Sequence, residues 1–285
     1  MMGQAEIFLP DPFSNFLIYP HPLFKMSKQK VLIVLFFVIA AGCEPAKPKA
    51  GATLTSKIDG MVQIFVPAGD FVMGNAIDDP HADEDEIPQH NVFLDPFWID
   101  RTEVTNAMYV LCMSAGKCTP PARSIYYTEP EYANHPAVGI SWVQAQEYCE
   151  WAGRRLPTEA EWEKTARGVD GRIYPWGNTP PGSEYSNFNQ QVNETTQVGM
   201  HPKGASPYGA LDMAGNVWEW VADGYEPDFY SHSAEENPIS NSPVNRRVLR
   251  GGNWDSNAEG IRVTNRFWAF PGRNDTDGFR CAKSG

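Results

Sequence analysis

This chain of 285 residues has no CxxC pair and no paired-histidine spacing, so the usual sequence patterns of a zinc site are missing. His81 and His90 flank an acidic loop, His135 precedes Pro136, and His201 and His232 stand alone. Basic charge is also short, 23 Lys and Arg against 35 Asp and Glu, which argues against a general affinity for nucleic acid or bare anionic membrane. No internal repeat is visible, and no helix-rich periodicity. What is present is a core: 42% hydrophobic and 12% aromatic residues exclude global disorder. With 24 Gly and 24 Pro, that core is expected to be wrapped in turns and irregular loops.

The one notable apolar run, Val31 to Ala40, is too short to span a bilayer comfortably. It sits in MSKQKVLIVLFFVIAAGC, residues 26–43, behind two lysines and before Ala41-Gly42-Cys43. This order reads as a bacterial lipoprotein signal peptide, 26–42, with lipid carried on Cys43. Ala40 departs mildly from the leucine usual in such signals. Residues 1–25 precede a good start at Met26 and read as a spurious N-terminal extension. Residues 43–60 read as a polar, flexible tether, and 61–285 as the folded domain. The expected location is extracytoplasmic, lipid-anchored to a bacterial membrane, in the periplasm or at the cell surface.

With Cys43 lipidated, Cys112, Cys118, Cys149 and Cys281 remain, an even number that allows three connectivities in an oxidising compartment. A local bridge between Cys112 and Cys118 across five residues would leave Cys149 to join the middle of the chain to Cys281 near its end. Free buried thiols are the alternative.

Along the domain, Val62 to Gly74 alternates around Pro-Ala-Gly-Asp and reads as a hairpin. HADEDE, 81–86, reads as a solvated acidic loop, and Asn91 to Asp100 as another strand. Thr105 caps a helix that Gly116 stops. Ser141 with Gln144 and Thr158 with Glu161 have capping-box spacing, so two further helices start there. The first places Trp142, Ala145, Cys149 and Ala152 on one face, which turns Cys149 inward. From Val169 onward short segments alternate with Gly, Pro, Asn and Asp. The expected class is α+β, with a long irregular half.

Asp212, Asn216 and Glu219 cluster in a Gly-containing turn, YGALDMAGNVWEW (208–220), where carboxylates and turn carbonyls suit Ca²⁺. FVMG (71–74), EVTN (103–106), HPAVGISW (135–142), CEWAGRRLPTEAEWEKTARG (149–168), YPWGN (174–178), that turn, VLRGGNW (248–254) and GFRC (278–281) occur in order. Together they resemble the sulfatase-modifying factor family of formylglycine-generating-enzyme-like domains, over roughly residues 60–283. The resemblance implies a variant C-type-lectin-like fold with a few helices, small antiparallel sheets and little regular secondary structure. It implies a structural Ca²⁺ site from the side chains of Asp212 and Glu219 and the carbonyls of Gly215 and Val217. A second Ca²⁺ site would begin at Asn187 and Phe188, but QQVNETTQVG departs from the family pattern for its later ligands. A structural disulfide between Cys149 and Cys281 is implied too.

Oxidising members of the family convert a sulfatase cysteine to formylglycine with two cysteines, four residues apart, that bind copper just after the RGG segment. Here Ser256 and Ile261 stand near those positions, so the resemblance carries over without copper and without a catalytic residue. A serine hydroxyl does not replace a thiolate for Cu(I). The expected function is therefore a non-catalytic binding or accessory domain. Its groove of Asn253, Trp254, Ser256, Asn257 and Arg262 would take a peptide, protein or glycan. The alternatives are an oxidative enzyme of the same family type and a binding protein with a variable lectin-like C-terminus. Replacing Cys43 with Ala is expected to release the protein from membranes, and unchanged partitioning on fractionation would refute lipidation.

Overall fold

Strands and helices alternate with turns in an order that brings both ends of the domain into one sheet. β1 (Thr53–Thr55), β2 (Val62–Val66), β3 (Gly69–Met73), β4 (His90–Leu94) and β5 (Phe97–Asp100) precede the helices α1 (Asn106–Ser114), α2 (Ile125–Thr128), α3 (Trp142–Trp151) and α4 (Glu159–Arg167). A long irregular stretch then leads to β6 (Trp218–Gly224), β7 (Arg247–Arg250), β8 (Arg266–Ala269), β9 (Asp277–Phe279) and β10 (Ala282–Ser284). The computed structural model describes residues 48–76, 80–243, 245–272 and 276–285. The expected extension 1–25, the signal segment 26–42 and Cys43 lie outside them. Among the described residues no helix is long and apolar enough to cross a membrane.

Three sheets form, in the orders β1-β2-β5-β10, β3-β4 and β8-β7-β6-β9. Pairing is antiparallel except between β6 and β9. Three expectations change here. The tether does not run to Gly60: β1 pairs with β2 from Thr53↔Ile64 to Thr55↔Val62, and Asp59 accepts from Tyr148 Oη at 2.7 Å. The hairpin over Val62 to Gly74 does not close either, because β2 pairs with β1 and β5 while β3 pairs with β4. Pro67 lacks an N–H for a hairpin ladder, and Gly69 at φ 141° carries the chain from one sheet into the next. The strand expected over Asn91 to Asp100 is two, β4 and β5, interrupted at Asp95-Pro96.

The helix starts follow the expected chemistry. Thr105 accepts from Met108 N, and Ser141 and Thr158 each complete a reciprocal capping box with Gln144 and Glu161. Cys149 is buried, as its place on α3 demands, and is bonded to Cys281; Cys112 is bonded to Cys118. The Cys149–Cys281 bridge spans 132 residues. Closing so long a loop contributes about 4–5 kcal/mol in the chain-entropy account.

All nine residues of α4 are buried, although Glu159, Glu161, Glu163, Lys164 and Arg167 are ionisable. Each is answered by a partner. Glu159 Oε1 accepts from Arg250 Nη1 and Arg266 Nε, both at 2.8 Å, and from Tyr230 Oη at 3.2 Å. Glu163 takes Arg250 Nη2 at 2.7 Å and the Gly74 amide at 2.8 Å. Glu161 pairs with both ends of the Arg155 fork, at 2.6 Å each. Lys164 donates to the carbonyls of Pro67 and Gly69, and burial lowers its pKa to about 8.

The acidic loop joins this system. Glu86 is fully buried against Arg262, with two bonds of 2.8 Å, so its carboxylate is structural and not solvated as the charge run implied. Removing one partner of a buried pair leaves an uncompensated charge, at a cost of about 3–5 kcal/mol. Arg250→Ala is expected to lose stability of that order in urea unfolding, and a loss below about 1 kcal/mol would contradict the role given to Glu159 and Glu163.

Candidate functional site

The segment after β7 turns sharply because two residues have no side chain. Gly252, at φ 72°, would place a Cβ 2.7 Å from the Gly260 carbonyl, a contact no other residue tolerates. The chain then folds back on itself. Asn253 Oδ1 accepts from the Asp255 amide at 3.1 Å, the Ser256 amide at 3.0 Å and Ser256 Oγ at 2.8 Å. Ser256 Oγ in turn accepts from the Asn253 amide at 3.0 Å. Asn253 and Ser256 thus satisfy each other inside one turn. Ile261 is fully buried with Tyr174, Phe188 and Ala214.

Of the expected groove residues, Trp254 is half-buried and Asn257 exposed, its Oδ1 taking the Gly260 amide at 2.9 Å. Arg262 is a correction. Its guanidinium is turned inward onto Glu86 and Thr264, and its Nε donates to the Glu259 carbonyl. Desolvating an arginine requires such a partner, and an acid 176 residues upstream in sequence was not identifiable as one. Arg266 is likewise buried, on Glu159.

The turn docks on the two segments expected to hold Ca²⁺. The Trp254 amide donates to the Asn216 carbonyl at 3.0 Å, and the Gln190 and Asn189 amides donate to the carbonyls of Trp254 and Ser256 at 2.8 Å. Asn216 in turn donates through its amide to the Asn187 carbonyl at 2.8 Å. Gly215 is required at that crossing, since a Cβ there would lie 2.3 Å from the Asn187 carbonyl. Three segments far apart in sequence are therefore one unit.

Around the first expected Ca²⁺ site, the buried carboxylates of Glu103, Asp212 and Glu219 share one guanidinium, Arg280. Glu219 accepts from Arg280 Nε and Nη2 at 2.6 Å each and from Trp162 Nε1 at 2.8 Å. Asp212, in the left-handed region at φ 56°, accepts from the Gly199 amide at 2.6 Å. Burial, and then the proximity of Asp212, hold the Glu103 carboxyl well above the usual carboxylate range; burial raises Asp212 too. Glu103 Oε2 has no partner of ordinary geometry among the described residues.

The burial that raises Glu103 and Asp212 favours their protonated forms, so a divalent cation at this cluster would compete with protons for these carboxyls. Each oxygen of Glu219 already accepts from a donor, so a cation there would share that carboxylate with Arg280. At the second expected site, Asn187 Oδ1 is buried without a partner among the described residues, while the Phe188 carbonyl already accepts from the Gln191 amide.

Residues 49–285 match the sulfatase-modifying factor enzyme 1-like (FGE-sulfatase) domain. The chain belongs to the sulfatase-modifying factor family. It is 35% identical to a formylglycine-generating enzyme of Streptomyces coelicolor, over 77% of this chain and 88% of that protein. It is 38% identical to the serine/threonine-protein kinase pkn1 of Chlamydia caviae, over 77% of this chain, and spans only 37% of the kinase's length. The structure of PvdO from Pseudomonas aeruginosa superposes with a TM-score of 0.72 at 26% identity, covering 84% of this chain and all of that one. The fold is the family's C-type-lectin-like variant, α+β with few helices and small sheets.

The family's copper pair does not fit this site. Ser256 is engaged with Asn253, Ile261 is an apolar plug, and each described cysteine is in a disulfide. A soft Cu(I) ion finds no thiolate here.

One arrangement escaped the sequence. His232 was read as solitary, yet the structure brings its imidazole together with Glu226 and Asp228. The signal was present as Glu226-x-Asp228-x₃-His232, a spacing that becomes legible only once the turn holding it is known.

Proposed function

We propose that this protein is a non-catalytic member of the sulfatase-modifying factor family, a binding or accessory domain anchored outside the cytoplasm to a bacterial membrane, in the periplasm or at the cell surface, by lipid on Cys43. One observation carries the reading. The two positions where oxidising members keep copper-binding cysteines are Ser256, closed into a turn with Asn253, and Ile261, buried among aromatics.

The oxidising compartment is supported by the two disulfides, which persist poorly in a reducing cytosol. Binding of a peptide, protein or glycan falls to the exposed rim of the turn, Trp254 and Asn257. Asn253, Ser256 and Arg262 shape that rim from beneath. The likeness to pkn1 supports use as a recognition module, since the similarity covers little more than a third of that kinase.

Calcium belongs to the same proposal. Asp212, the carbonyls of Gly215 and Val217, and Glu219 shared with Arg280 would hold the ion and brace the Asn216 turn on which Trp254 rests.

Two outcomes are expected. The purified protein, incubated with a CxPxR sulfatase peptide, Cu(I) and oxygen, leaves the peptide mass unchanged; a loss corresponding to aldehyde formation would establish the enzymatic reading instead. EDTA lowers the melting temperature and Ca²⁺ restores it in the parent protein, whereas Asp212→Asn does not respond. Because burial raises the carboxyl pKa of Asp212, protons compete with the cation and the Ca²⁺-dependent gain shrinks as pH falls. An EDTA scan identical to the untreated one would remove Asp212 and Glu219 as ligands.

A further inference from the structure

The residues just after β6 form a tight loop, Glu226 to His232. The Phe229 amide donates to the Glu226 carbonyl at 3.3 Å, the Ser231 amide to the Asp228 carbonyl at 3.1 Å, and the His232 amide to the Phe229 carbonyl at 3.1 Å. Below the loop, Tyr230 is buried and reaches Glu159 beneath it. The loop is thus anchored to the buried charge system while its polar side chains face outward. Asp228 and His232 are exposed and Glu226 half-buried.

These three side chains bring one donor atom each to within 4.8 Å of one another. Glu226 Oε1 and His232 Nε2 are 3.3 Å apart. Two donors bound to one ion at about 2.1 Å in tetrahedral geometry stand about 3.4 Å apart. The Glu226–His232 separation is already that edge. Asp228, whose donor oxygen lies within 4.8 Å of the other two, closes the remaining gap by a side-chain movement that its exposure allows. The other Glu226 oxygen accepts from Ser240 Oγ at 3.4 Å, which orients the carboxylate from behind.

The surroundings favour a cation. Asp228 also lines a cavity of about 530 Å³ that Asp83, Glu84 and Asp85 border as well. Arg266 reaches the same cavity, but its charge is met by Glu159.

We propose that Glu226, Asp228 and His232 form a binding site for a borderline divalent transition metal of the Zn²⁺ class. Imidazole selects such ions over Ca²⁺ and Mg²⁺, which prefer an all-oxygen shell. Three protein ligands leave a coordination position for water or for a donor group of a ligand in the adjoining cavity. The site is separate in residues from the Asp212–Glu219 cluster and from the copper positions of the family.

Isothermal titration of the untagged full chain, stripped with EDTA, with Zn²⁺ tests this. One equivalent is expected to bind with an affinity that His232→Ala and Asp228→Asn each weaken by more than about tenfold, a loss at least as large as that for an outer partner. Asp212→Asn leaves the isotherm unchanged, and excess Ca²⁺ does not displace the ion. Substituting Co²⁺ gives visible absorption bands that disappear in His232→Ala. The proposal is overturned if the parent chain takes up no Zn²⁺ at micromolar concentration, if His232→Ala binds as tightly as the parent, or if Asp212→Asn is the variant that loses binding. These side chains lie at the surface, so the variants are expected to retain the parent melting temperature without metal; a variant that unfolds is replaced by Glu226→Gln, read by the same titration.

Discussion

A helix with no exposed residue and five ionisable side chains in nine positions imposes the main constraint on this structure. Buried charge is tolerated only when it is paired and hydrogen-bonded. Glu159 and Glu163 therefore dictate that arginines arrive from β7 and β8, and those strands arrive where the arginines can reach. The same logic extends outward through Gly74 and Arg167, and through Trp162 to Glu219 and Arg280. Apolar packing surrounds α4, but geometry this specific comes from forks and carboxylates rather than from area. A fold with short strands and long loops has few ladder hydrogen bonds to define its shape. Directional charge pairs take over that task.

Some of this was legible in the residues alone. Capping boxes announced α3 and α4 because the residues that make them are neighbours in sequence. The inward face of α3 announced Cys149, and an even cysteine count narrowed its partner. Pairings between distant charges were not legible. Arg262 reads as a recognition side chain until Glu86 is found against it, and Glu86 reads as solvated until Arg262 is found. Local chemistry also misled at Pro67, where an alternating pattern on both sides belonged to two sheets instead of one hairpin. At Thr53 a polar strand on a sheet edge looked like linker, since an exposed edge strand needs no apolar signature.

The turn after β7 is held by residues that need take no part in any chemistry. Gly252, the Asn253 cap and the docking onto Asn216 and Asn187 hold the backbone of a site whose reactive positions here are a hydroxyl and a plug. Nothing in that backbone depends on cysteine. It depends on glycine, on an Asx cap and on the carbonyls of two neighbouring loops, all of which a binding surface uses as readily as an oxidase. The surface features then differ from the core ones in kind. Around α4 the buried charges are paired with one another, whereas Asn257, Asp228 and His232 lie exposed at the surface.

The first sheet has β10 as an outer strand, paired with β5. Arg155 and Ala282 bridge their backbones there, and Cys281 beside them is bonded to Cys149. β5 thus pairs with a strand encoded some 180 residues later, a contact of very long sequence separation. The strand pairing and the long disulfide act at one place, so a chain nicked anywhere in the loop between Cys149 and Cys281 would keep its two pieces joined.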